Sequence, residues 1–185
     1  MTNAFYGQTL YGTTAGIISN VPIRVKAITQ YPAAVQDAFS LAWWDEANPL
    51  TAGLTFNATA SSGTVTDTDT AHDAMTSTVF PAGGVVQVTY SNGAAANKTY
   101  HLIGTVGNND RFIVTPTTTW GDEGTINYTV KTYPARVAFD GIQTKAADTF
   151  GSMSWFFGDE GIWLPNLVLA SITNNSHIII YLATR

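Results

Sequence analysis

Apolar and polar residues alternate along most of this chain, and Gly, Asn, Asp or Pro breaks the runs roughly every 8–12 residues. An alternation of period two puts successive side chains on opposite faces of a strand, and it cannot build the apolar stripe of a helix. Residues 23–29, IRVKAIT, show it cleanly: Ile23, Val25 and Ala27 fall on one face, Arg24, Lys26 and Ile28 on the other. Residues 39–44, FSLAWW, place Phe39, Leu41 and Trp43 inward. One segment, 31–39 (YPAAVQDAF), would tolerate one or two helical turns. A chain with this punctuation folds as a β-sandwich or barrel.

The pattern is not uniform. Residues 1–20 are rich in Gly, Thr and Asn but carry Phe5, Tyr6 and Tyr11, and they read as an extended arm that docks through those rings. From 51 to 131 Thr rises sharply. Strands are expected there at 85–90, 99–106, 111–115 and 125–131, with turns at Ser91-Asn92-Gly93, Gly107 to Asp110 and Gly121 to Gly124. Residues 136–140 resume the style of 23–29, and 167–172 and 178–182 are the most apolar runs. The expected fold is therefore all-β. Residues 21–50 and 132–185 form a jelly-roll-like sandwich frame, and 51–131 form a small β-barrel or meander module inserted between two of its strands. Two sequential sandwiches, split near 60 or 132, are the alternative.

Charge narrows the function. Of 185 residues only 11% are charged, against about 25% in ordinary soluble domains. Neighbours covering much of the surface, or a rigid β protein with a Thr/Ser/Asn coat, would both account for this. Eight basic residues, spread out, and a net charge of −5 do not suit a nucleic-acid binder. No cysteine is present, which removes disulfides, thiol catalysis and Fe–S clusters. No apolar run approaches the ~20 residues that span a bilayer, and the first residues have no signal-peptide pattern, so the expectation is a chain made in a cytoplasm with no membrane partner.

Chemistry-bearing residues are few. His72, His101 and His177 lack metal-ligand spacing. Asp67, Asp69 and Asp73 form an acidic stretch without the glycine and terminal glutamate of a calcium loop. Asp45, Glu46, Asp159 and Glu160 lie near Trp43, Trp44, Trp155 and Trp163 in sequence, the combination a glycosidase or carbohydrate-binding module would use. The plainer reading makes Trp43 and Trp155 core, with Trp44 and Trp163 at strand edges or a subunit interface. No catalytic residue, metal site or cofactor is expected.

The entry Phe80-Pro81-Ala82-Gly83-Gly84, the strand to Tyr90, the Asn92-Gly93 turn, Tyr100-His101-Leu102-Ile103, the strand from Arg111 to Pro116 and the Gly121-Asp122-Glu123-Gly124 turn resemble a small β module of tailed-bacteriophage virion proteins. The chain departs from that pattern at Gly84, where Asp is usual, and in its longer Ala94-Ala95-Ala96 turn. The early Ile-Arg-Val-Lys strand and the final Ile-Ile-Tyr-Leu strand resemble short phage structural proteins as well. The resemblance implies a virion component. Its leading form is a capsid decoration or cement protein that binds the major capsid protein or other virion proteins and forms a dimer or trimer. A tail or neck protein and a carbohydrate-binding module are the alternatives. Phe5, Tyr6, Tyr11, Trp44 and Trp163 are the expected interface residues.

Overall fold

The computed structural model describes residues 8–33, 37–51, 54–61, 64–67, 76–90, 98–107, 111–115, 124–142, 151–174 and 176–183. Among them every regular element is a strand. The chain divides into two units: residues 1–43 with 137–185, and residues 44–136 inserted between them. The insertion starts seven residues earlier and ends five later than the 51–131 read from the Thr content. Composition changes only where the Thr-rich strands begin, whereas the chain leaves the frame within one continuous strand.

The frame is a sandwich of antiparallel sheets. Its strands are β1 (Thr9–Gly12), β2 (Gly16–Ser19), β3 (Ile23–Tyr31), β4 (Ala38–Trp44), and, beyond the insertion, β11 (Ala135–Ile142), β12 (Met153–Phe156), β13 (Ile162–Leu164), β14 (Leu167–Ile172) and β15 (His177–Leu182). One sheet runs β1-β15-β3-β12, with β13 also on β3, and the other runs β11-β4-β14-β2. β12 pairs Ala27 to Gln30 and β13 pairs Ile23 to Val25, so both are sections of one edge along β3. Counted so, the frame is two four-stranded sheets whose consecutive strands switch sheet at every step but β4 to β11, the order of a jelly roll. The 1–20 segment is thus not wholly an arm: β1 and β2 are frame strands, because Leu10 and Ile18 supply core contacts. No helix forms at 31–39 among the described residues. Tyr31 ends β3 and Ala38 begins β4, and the buried Asp37 accepts hydrogen bonds from Ala33 N at 2.5 Å and Asn174 Nδ2 at 2.8 Å.

The frame core lies between the sheets. Ile23, Val25, Ile28, Ile178 and Ile180 meet Phe39, Leu41, Leu167 and Leu169. Trp43 and Trp155 pack against this cluster, as expected of core residues, and Trp155 meets Phe39 edge-on at 5.4 Å. The alternation of β3 slips by one residue near Lys26, opposite an irregularity at Tyr181/Leu182 on β15. Ile28 therefore faces inward beyond the slip, although strict alternation puts it outward.

The inserted unit is a closed six-stranded antiparallel barrel of β5 (Leu54–Ser61), β6 (Thr64–Asp67), β7 (Val85–Tyr90), β8 (Lys98–Gly107), β9 (Arg111–Thr115) and β10 (Gly124–Tyr133), in the order β10-β5-β6-β9-β8-β7. Closure leaves no free sheet edge. Phe80 and Phe112 stack at 5.2 Å among buried Val86, Val88, Ile103, Val114 and Val130. At Gly84 a Cβ would lie 2.9 Å from the carbonyl oxygens of both Pro81 and Tyr133, so this entry turn has no room for any larger residue as it stands.

Candidate functional site

The five-stranded sheet turns one face to the frame core and the other outward. Strand register fixes which side chains share the outward face. One row runs Tyr11–Ile179–Thr29–Ser154, and the next runs Thr9–Tyr181–Ala27–Phe156. Trp163, opposite Arg24 on the same edge, lies further along this face. Tyr11 and Trp163 are each 60% exposed and Phe156 is 67% exposed. Three exposed rings thus share one sheet face, Tyr11 at one edge and Phe156 and Trp163 at the other.

A groove of about 280 Å³ lies on this face, lined by Ala27, Thr29, Tyr31, Ser152, Ser154, Phe156 and Tyr181. Its shape follows from side-chain size. Ala27 on the central strand stands between Tyr181 and Phe156 on the flanking strands, so the smallest side chain makes a floor and two rings make walls. In the next row the Thr29 and Ser154 hydroxyls are hydrogen-bonded at 2.8 Å. His177 stacks between Tyr31, at 4.8 Å, and Tyr11, at 5.8 Å, which ties the first strand to the groove wall.

Beside the groove, the Gly158 to Gly161 turn separates β12 from β13 and carries the acids Asp159 and Glu160. Glu160 pairs with Arg24 at 3.3 Å and Asp159 with Lys26 at 4.0 Å. These pairs are exposed and contribute little to stability, but they place opposite charges beside the outward cations of β3.

In the barrel unit Asp45 accepts hydrogen bonds from Asn48 Nδ2 at 2.6 Å and Ala47 N at 3.0 Å, which hold its carboxyl below the usual range. Glu46 accepts from the Tyr100 hydroxyl at 2.9 Å. Gln87 Nε2 donates to the Tyr100 and Tyr133 hydroxyls at 3.0 and 3.1 Å, and burial first, with Tyr100 and Glu46 adding to it, pushes Tyr133 up to about 12. Each of the four acids considered for sugar cleavage thus has a local partner. Among the described residues no three His, Asp or Glu side chains converge as a metal set. Asp67 ends β6, and Asp69, Asp73 and His72 lie outside the described residues.

The expected interface residues separate on inspection. Tyr11 and Trp163 are on the outward sheet face. Phe5 and Tyr6 lie outside the described residues. Trp44 is not at a surface: it is 0% exposed and packs on Tyr100 with ring centroids 5.4 Å apart. Strict alternation assigns it the polar side of β4, but Leu41, Ala42 and Trp44 are all buried because the strand's last residue already belongs to the barrel unit. The groove residues were missed, because Ser, Thr and Ala in a strand carry no signal until their neighbours across the sheet are known.

Comparison with models of protein families, with curated proteins and with solved structures yields no match.

Proposed function

We propose that this chain is a non-catalytic structural component of a tailed-phage virion, a decoration or cement protein that adds to the capsid lattice. The observation that carries this reading is the aliphatic exposure of β11, the edge strand of the four-stranded sheet, where Val137 and Ile142 are 64% and 61% exposed. The low charge and the resemblance of the 79–126 segment to virion modules support it, as does a jelly-roll frame, an architecture that recurs in capsid and lectin domains. Docking then works by removing apolar area from water, at roughly 25 cal/mol per Å² before ordering costs. Many copies on a repeating lattice make modest contacts effective. Self-association as a dimer or trimer about a local axis belongs to the same reading.

The test is retention on particles. Purified chain is mixed with undecorated capsids of the phage that encodes it, sedimented, and counted per particle. Lattice-wide occupancy that is lost in the Val137→Asp, Ile142→Asp double variant is the expected result. Occupancy restricted to a single neck or tail ring would move the protein to the head–tail junction, and no retention would remove the virion reading.

A further inference from the structure

The outward face of the five-stranded sheet differs in kind from β11. The groove lining contains no charged residue, and five of its seven residues carry hydroxyls: Thr29, Tyr31, Ser152, Ser154 and Tyr181. A groove without cations gives a phosphate or carboxylate no partner. The nearest cations on β3, Arg24 and Lys26, are directed to Glu160 and Asp159. With no charge of either sign in its lining, the groove suits an uncharged ligand best.

The floor also excludes an extended peptide. Peptides added to sheets are held by free backbone donors and acceptors. Here Ala27 and Thr29 lie on β3 between β12 and β15, with strand partners on both sides. Recognition is left to rings and hydroxyls. Phe156 and Tyr181 flank Ala27 one strand away on either side, so their Cα atoms stand about 10 Å apart, given neighbouring strands about 4.8 Å apart. A groove of about 280 Å³ falls just below the usual range of ligand pockets, roughly 300–1,000 Å³. It takes one ring-sized group.

We propose that this groove is a binding site for a single neutral pyranose unit, with an apolar ring face against Phe156 or Tyr181 and hydroxyls exchanging hydrogen bonds with Thr29, Ser152 and Ser154. A sugar ring presents both surfaces at once: C–H groups that lie on an aromatic ring, and a rim of hydroxyls that donate and accept. The Thr29–Ser154 pair suits that rim, because each hydroxyl has one donor and two acceptor positions and their mutual bond uses only part of them. Trp163 and Tyr11, exposed on the same face, are available to further residues of a longer glycan.

The site is tested on the isolated chain with neutral methyl pyranosides of the gluco, galacto and manno series. The readouts are calorimetry and amide chemical shifts. Expected is saturable binding of at least one of them in the millimolar range, with shifts centred on residues 27–31 and 152–156. Phe156→Ala, at an exposed position, weakens it by about tenfold or more, and Ser154→Ala by several-fold. Both variants keep the wild-type near-ultraviolet circular dichroism. Absence of saturable binding across the series, binding undiminished in Phe156→Ala, or preference for uronic or sialic acids each overturns the proposal. The Val137→Asp, Ile142→Asp variant binds sugar normally whatever it does on capsids, so failure of the groove and failure of the docking reading are told apart.

Discussion

The ring of Phe39 occupies the space where a side chain at position 141 would begin: a Cβ built on Gly141 would lie 2.6 Å from Cζ of Phe39 and closer still to Cε1. Phe39 has little freedom to retreat. It is buried and packs on Phe139 at 5.9 Å and Trp155 at 5.4 Å. Gly141→Ala therefore forces the aromatic cluster apart and lowers frame stability by about 1–3 kcal/mol, the usual cost of overpacking. Denaturant unfolding followed by the near-ultraviolet signal measures it, and an unchanged midpoint would mean the ring moves freely.

The two tryptophans paired in the sequence argument behave in opposite ways. Trp44 is fully buried on Tyr100, whereas Trp163 stands largely in solvent. Trp44→Ala should lower the stability of the barrel unit by about 3–5 kcal/mol through lost transfer energy and the cavity left behind. Trp163→Ala should stay within about 0.5 kcal/mol of wild type. Urea midpoints of the two variants, measured side by side, check both statements.

The strand character, the nested arrangement and most of the barrel strands were legible because alternation and turn residues are local signals. Val85 to Tyr90 and Arg111 to Thr115 match the expected limits residue for residue. β5 does alternate, with Leu54, Phe56, Ala58 and Ala60 at every second position, but its small residues merge into the Thr-rich run that follows, and TVTD of β6 is too short to show a period; both strands close the barrel between β10 and β9. Residues 1–20 show no period and so read as an arm, whereas the strand state of β1 depends on pairing with β15 far along the chain. The groove was beyond reach for the same reason. It exists only in the register that sets Phe156, Ala27 and Tyr181 side by side.

His101 makes stability depend on pH. It sits on β8, accepting or donating at Thr99 Oγ1 over 2.9 Å, and burial depresses its pKa from 6.5 to about 4. Between those values the unfolded chain takes up a proton that the folded chain does not, so stability falls as pH drops from 6.5 towards 4 and this contribution levels off below. The full effect is on the order of 3 kcal/mol. Asp45, whose pKa is also lowered, adds its own loss only at still lower pH. Urea midpoints at several pH values should slope through that window in the wild type and flatten in His101→Gln.

Gln30 is the least expected residue of the frame core. It lies on the inner face of β3 in register with Ile178 and Met153, is fully buried, and among the described residues neither its amide oxygen nor its amide nitrogen has a hydrogen-bond partner. A buried polar group left in that state costs about 1–3 kcal/mol. Methionine has the same unbranched reach and no hydrogen bonds to satisfy. Gln30→Met should therefore raise the unfolding free energy of the frame by about 1 kcal/mol, whereas Gln30→Ala should lower it by opening a cavity. Equilibrium denaturation of the two variants separates the terms. Equal losses in both would show that the amide is bonded in the native state and is part of what holds β3 between β12 and β15.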